Sequence, residues 1–147
     1  MIVSIGCDHA GPELKARIIE HLKTLGHTIL NRGTDSTESV DYPDHAHAVA
    51  EDIENSNADL GILICGSANG VAMTANKHPK VRAAIAWNRE VAALGRQHNN
   101  ANVLCIPARF VSDEIALDMV DAFFTSDFEG GRHERRVGKI SCAIASA

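Results

Sequence analysis

Short aliphatic runs alternate along the chain with stretches whose apolar positions recur every three or four residues. Residues 2–6 form the first run, a strand pattern. Leu14, Ile18, Leu22 and Leu25 then fall on one helical stripe that ends at Gly26, a residue suited to a helix C-terminus. Thr28–Asn31 reads as a second strand, and Ala46, Val49, Ala50 and Ile53 mark the inner face of a second helix. Leu60–Cys65 predicts strand three, followed by a glycine-containing loop and a short helix reaching about Asn76. Residues 81–87 and 102–106 predict strands four and five, with a helix over about 88–97 between them. Ser112 is placed as an N-cap, with Asp113 and Glu114 beside it where the helix dipole favours negative charge. Ile115, Met119 and Phe123 are expected to line that helix, and a last helix is expected over about 131–145.

Strict alternation of apolar strands with helices implies a parallel sheet covered on both faces. The expected fold is therefore a three-layer α/β/α sandwich: a Rossmann-like, five-stranded parallel sheet with a C-terminal helix. At 147 residues the chain fits one domain around one core. Ligands of such sheets bind beyond the carboxyl ends of the strands, near the point where strand order reverses. The residues just after strands one, three and five are Cys7-Asp8-His9, Cys65-Gly66-Ser67 and Pro107-Ala108-Arg109, so polar chemistry gathers at that edge.

Composition narrows the function classes. Aromatics make up 4% of the chain, which disfavours base stacking, and a net charge of −5 argues against non-specific nucleic-acid binding. No apolar stretch approaches the roughly 20 residues that span a bilayer, so no membrane partner is expected. Met1 leads directly into the first strand without a secretory pattern. The four cysteines, Cys7, Cys65, Cys105 and Cys142, lie far apart with no C-x-x-C, which disfavours a disulfide framework or zinc ribbon. The chain is expected to be a reduced, cytoplasmic protein.

Candidate chemistry centres on G-I-L-I-C-G-S-A-N-G-V, residues 61–71. A cysteine ending a buried strand is commonly a small hydrophobe. Here a turn rich in Gly66, Ser67, Asn69 and Gly70 follows, and amides at a strand-to-helix turn favour a thiolate or a bound anion. Phosphate-ester cleavage by such a thiol needs C-x5-R, but position 71 is Val71. The glycine pattern of residues 6–11 also fails the dinucleotide fingerprint. No cofactor is expected, and a thiol of this kind would instead remove a proton from carbon. In G-G-R-H-E-R-R, Arg132 and Arg136 are four apart and share a helical face, a pair of forks suited to phosphate or else a solvated surface. Among the histidines, His21, His27 and His78 read as inert, while His45 and His47 point to different sides of a helix. His9 lies at the functional edge and His98 just after a helix. No His, Cys and acidic group has metal-ligand spacing, so no metal is expected.

Taken together, G-C-D-H-A-G, D-Y-P at 41–43, the Cys65 loop, A-N-K at 75–77, R-Q-H-N-N-A-N-V-L and E-G-G-R-H-E-R-R-V resemble the ribose-5-phosphate isomerase B family, which includes the galactose-6-phosphate isomerase subunits. The resemblance runs through nearly the whole chain in order. It implies an aldose–ketose isomerase that works without a metal, with Cys65 as the base and the amides of Gly66, Ser67, Ala68, Asn69 and Gly70 around the oxyanion. Ser67 would relay a proton, His98 would open the sugar ring, and Asn99, Asp8 and Tyr42 would contact the sugar. His9, Arg109, Arg132 and Arg136 would hold the phosphate. One branch of the family uses a glutamate where this chain has Val71, which leaves Cys65 as the base. The resemblance also implies a homodimer or homotetramer with the site shared between subunits, the segment from His98 to Arg109 coming from the partner. A six-carbon sugar phosphate of the allose or galactose type, or a sugar-phosphate-binding protein without catalysis, are the competing readings.

Overall fold

The computed structural model describes residues 1–142. Eleven elements follow one another: β1 (Ile2–Cys7), α1 (Pro12–Thr24), β2 (Thr28–Asn31), α2 (Tyr42–Glu54), β3 (Leu60–Cys65), α3 (Asn69–Ala75), β4 (Ala83–Ile85), α4 (Arg89–Asn99), β5 (Val103–Pro107), α5 (Asp113–Thr125) and α6 (Arg132–Val137). The five strands form one parallel sheet in the order β2-β1-β3-β5-β4. Strand order reverses between β1 and β3, which places a crevice between the loops that leave these two strands.

Successive side chains on a strand face opposite sides of a sheet, and both sides here are buried. Ile62, Ile64, Leu104 and Ile106 join the helix side chains Leu14, Ile18, Leu22, Met119 and Phe123 in one core. Leu63, Cys65, Val103 and Cys105 join Ala46, Val49, Ala50, Val71 and Ala75 in the other. Helices α1, α4 and α5 therefore cover one face, and α2 and α3 the other, giving the expected three layers. Double coverage explains why β3 reads as an unbroken apolar run, with every residue buried. Small side chains let α2 approach: a Cβ on Gly61 would lie 2.8 Å from Val49 Cγ1. No helix among the described residues is long and apolar enough to cross a membrane.

Three expectations change. Strand four is only Ala83–Ile85, because the Arg82 N–H turns to the Asn102 Oδ1 at 2.8 Å and Trp87 is exposed beyond the other end. The buried face of α5 is Ala116, Met119, Val120 and Phe123, while Ile115 is 41% exposed; the stripe starts one residue later than the larger side chain suggested. The final helix stops at Val137, followed by a turn over 138–140; its expected continuation to 145 lies partly outside the described residues.

Candidate active site

Three loops meet at the carboxyl edge of β1, β3 and β5. The Asp8 N–H donates to the Ile64 carbonyl at 3.2 Å, and the Ala108 and Arg109 N–H groups donate to the Cys65 and Gly66 carbonyls at 2.9 and 3.1 Å. These bonds extend the ladder past the strand ends and fix Cys65 between its neighbours. The Cys65 side chain is 6% exposed and faces the α2–α3 layer. Its loop then turns sharply: Ala68 takes the left-handed conformation at φ 66°, and Asn69 N–H donates to Ser67 Oγ at 3.3 Å. Among the described residues, none accepts a hydrogen bond from the N–H of Gly66, Ser67 or Ala68. The turn thus leaves adjacent donors without protein partners beside a thiol.

Both glycines of the loop have a steric reason. A Cβ on Gly66 would lie 3.1 Å from Arg109 Nη1, so the guanidinium rests on the bare backbone. A Cβ on Gly70 would enter the ring of Tyr42, which begins α2 and is 40% exposed. Asp8, 8% exposed, accepts from the Ala10 N–H at 2.9 Å. His9 Nδ1 accepts from the Val40 N–H at 3.4 Å, which links the first loop to the segment that leads into Tyr42. The structure therefore brings together Asp8, His9, Tyr42, Cys65, Gly66, Ser67, Ala68, Asn69, Gly70 and Arg109 within one chain. The expectation that Arg109 belongs to a partner's half of the site is corrected: it lies on the Gly66 loop of its own chain.

The remaining candidates lie at the other edge. Helix α4 runs back antiparallel to the strands, so His98 and Asn99 at its end sit near the start of β5, where the Asn102 carbonyl accepts from the Gly61 N–H at 2.8 Å. Helix α5 returns to the same edge, where Glu129 N–H donates to the Gln97 carbonyl at 3.0 Å and α6 carries Arg132 and Arg136. Six residues of β3 separate the two groups, about 16 Å at the usual rise per residue. His98, Asn99, Arg132 and Arg136 are thus kept apart from Cys65 within one chain.

This second group contains two residues absent from the sequence expectations. The His133 ring stacks on His98 with centroids 4.1 Å apart and planes 9° from parallel, and Glu129 Oε1 lies 3.5 Å from His98 Nε2 and 3.7 Å from His133 Nε2. Both sit in the E-G-G-R-H-E-R-R motif, which was the available signal. Partial desolvation, then the charges of His98 and Arg132, hold the His133 pKa below its ordinary value. The donor atoms of His98, Glu129 and His133 lie within 4.8 Å of one another, a grouping in space that no metal-ligand spacing along the chain marks. Stacked parallel rings do not aim their lone pairs at one point, so the arrangement does not fit an ion. The other cysteines divide by burial, and Cys142 lies past the end of α6. Burial pushes the Cys7 thiol up to about 11, and burial raises Cys105 as well; both are core groups, and Cys142 is exposed.

Comparison with known proteins places this geometry. Residues 3–140 match the family model described as Ribose/Galactose Isomerase. The chain is 49% identical over 140 residues to a probable ribose-5-phosphate isomerase B of Mycoplasma genitalium, covering 94% of this chain and 92% of that protein. It is 42% identical to the ribose-5-phosphate isomerase B of Escherichia coli, covering 95% and 93%. The Clostridium thermocellum ribose-5-phosphate isomerase B structure superposes with TM-score 0.94 at 45% identity, covering 95% of each chain. The Mycoplasma genitalium enzyme with bound ribulose-5-phosphate superposes with TM-score 0.90 at 48% identity, covering 95% and 93%. With the fold, the edge loops and these likenesses in agreement, the chain belongs to the ribose/galactose isomerase family.

Proposed function

We propose that the chain is an aldose–ketose isomerase that interconverts ribose 5-phosphate and ribulose 5-phosphate. The observation that carries this reading is the Cys65 thiol fixed at the strand-order reversal beside the N–H groups of Gly66, Ser67 and Ala68, which have no partner among the described residues. In this mechanism the Cys65 thiolate takes the proton from C2 of the open-chain aldose and returns it to C1. The electron pair of the C2–H bond forms the C1–C2 double bond of a cis-enediolate, and the loop amides stabilise the negative oxygen. Ser67 moves the hydroxyl proton between the two oxygens. Asp8 and Tyr42 hold the sugar from one side, and no step draws on a metal or cofactor.

The rest of the site comes from a second copy of the chain. Ring opening needs an acid, for which His98 is the candidate, with Asn99 beside it on the sugar oxygens. Phosphate needs a cluster of cations, supplied by His9 and Arg109 at one edge and Arg132 and Arg136 at the other. Because these edges lie about 16 Å apart within one chain, a partner must bring its His98 edge to the Cys65 edge. The product is a homo-oligomer with shared sites, either a dimer or a tetramer. Four unpaired cysteines suit a reducing, cytoplasmic setting.

The test is conversion of ribose 5-phosphate with chelator present, wild type beside Cys65→Ala. Loss of general-base help should lower turnover by about 10²–10⁴-fold with the fold retained. Near-normal turnover in the variant would remove Cys65 from the mechanism. A wild type inactive on the pentose would redirect the reading to six-carbon sugar phosphates.

A further inference from the structure

Where α2 packs on α3, three side chains from different parts of the chain form a run of contacts, and one of them, His78, also lines a cavity that Asn99 borders. His47 Nδ1 lies 2.7 Å from His78 Nε2, and His78 Nδ1 lies 2.6 Å from Glu54 Oε1. The two rings are tilted 59° with centroids 5.0 Å apart. His47 is exposed, while the side chains of His78 and Glu54 are 14% and 24% exposed. None of the three takes part in the isomerase reading.

The contacts dictate which nitrogens carry protons. A carboxylate only accepts, so His78 Nδ1–H donates to Glu54, and in the neutral ring Nε2 is left as a lone pair. His47 Nδ1 must then donate, so a single proton lies between two imidazole nitrogens. A carboxylate behind a histidine, fixing its tautomer and raising its basicity, is the arrangement that accompanies metal-bound histidines. Imidazole pairs suit zinc, nickel and copper, with metal–nitrogen bonds of about 2.0–2.1 Å. Bonds of that length place two adjacent nitrogen ligands roughly 3.0–3.3 Å apart with both lone pairs aimed at the ion, so these nitrogens must separate by about half an ångström and the rings must turn from each other toward the ion.

We propose that His47 and His78, backed by Glu54, bind one divalent transition-metal ion of the imidazole-preferring class. The ion replaces the shared proton, which is released to solvent, and water completes the coordination. The bound ion staples α2 to the chain just past the end of α3. These two helices begin at Tyr42 and Asn69, beside the Cys65 loop, so the staple stiffens the frame of the Cys65 edge.

Calorimetric titration of the full chain with Ni2+ at neutral pH tests the site, with thermal unfolding as a second readout. The expected result is one ion per chain and a rise in Tm of about 5 °C or more at saturation. His47→Gln and His78→Gln should each weaken binding at least fivefold, and Glu54→Gln about 10-fold or more. His47→Gln should keep wild-type isomerase activity, since the residue is exposed and outside that machinery. Binding within fivefold of wild type in both histidine variants, loss of binding in His133→Gln instead, or no binding at millimolar Ni2+ would each overturn the proposal.

Discussion

Two inactive variants should restore each other's activity when they share an oligomer. Cys65→Ala removes the thiol from one edge of the sheet, and His98→Gln removes the imidazole from the other. The six residues of β3 keep these edges about 16 Å apart within one chain, well beyond reach of one pentose phosphate. If each site joins the Cys65 edge of one chain to the His98 edge of another, the interface is reciprocal. A mixed pair then holds one site with both defects and one with neither. With random pairing of equal amounts, half the pairs are mixed, so about one quarter of all sites are intact. Each variant alone should retain roughly 1% of wild-type turnover or less, since a positioned acid or base contributes about 10²–10⁴-fold. Co-expressing the two chains with different affinity tags, purifying the pool and assaying ribose 5-phosphate conversion should give about a quarter of wild-type activity. Activity equal to the mean of the two parents would refute the shared site, because sites complete within one chain gain nothing from mixing.

Other expected outcomes follow from the packing. Asp52, 4% exposed, accepts from Ser4 Oγ at 2.7 Å and from Arg32 Nε and Nη2 at 2.6 and 2.8 Å. Asp52→Ala should cost about 1.5–3 kcal/mol in denaturant unfolding, and an unchanged midpoint would refute the value placed on this network. Burial raises the Asp52 pKa, but the bonds from Arg32 and Ser4 outweigh it and the net shift is downward. The stability this contributes is therefore present above an ordinary aspartate pKa of about 4 and is lost as pH falls through the lower folded value; Asp52→Ala should flatten that part of the stability–pH curve. Gly70→Ala should displace the Tyr42 ring, costing about 1–3 kcal/mol and lowering kcat/KM. Adding Tyr42→Ala should cancel most of the stability loss, and simple additivity would contradict the clash. Lys15, 1% exposed, donates to Asn31 Oδ1 and Asp35 Oδ1 at 2.6 and 2.5 Å. Lys15→Met should leave Tm nearly unchanged while raising KM several-fold, whereas a fall in Tm with constant KM would count against its role in loop placement.

Much of the fold was legible because its physics is local. Strands buried on both faces, such as Leu60–Cys65, have no polar side and announce themselves as apolar runs. The edge strand β4 is shorter than its apolar run because at its start the Arg82 N–H bonds to the Asn102 side chain instead of a neighbouring strand. The phase of α5 was misjudged because Ala116 contributes to the core while carrying little hydrophobic signal, and the bulkier Ile115 beside it does not. The loop residues of the candidate site were legible from their position after strands, where a parallel sheet collects ligand contacts. The histidine groups were not. His98 meets His133, and His47 meets His78, only because α4 packs on α6 and α2 on α3, and no spacing rule encodes a pairing made by helix packing.

The buried charges point to a division of labour within the chain. Apolar burial suffices to hold the sheet and helices, yet Lys15 and Asp52 are both taken out of water between β1, β2 and their covering helices. Each pairs with an exposed partner, Asp35 for Lys15 and Arg32 for Asp52. Such a half-buried pair adds little net stability over well-packed apolar groups, so stability alone does not explain them. What both touch is the chain leaving β2: Arg32 is held by Asp52, and Asn31 and Asp35 are held by Lys15. The backbone there is tied to β1 as well, with Cys7 N–H donating to the Gly33 carbonyl and Thr34 N–H to the Cys7 carbonyl at 2.6 and 2.9 Å. Residues 32–41 have no helix or strand to set their path, and they deliver Val40 to His9 and Tyr42 to Gly70. Directional bonds from buried charges fix a route that non-directional apolar packing leaves free. On the proposed reading, the ring that walls the sugar pocket is placed by polar groups behind the sheet, which is why Lys15 should govern substrate affinity more than stability.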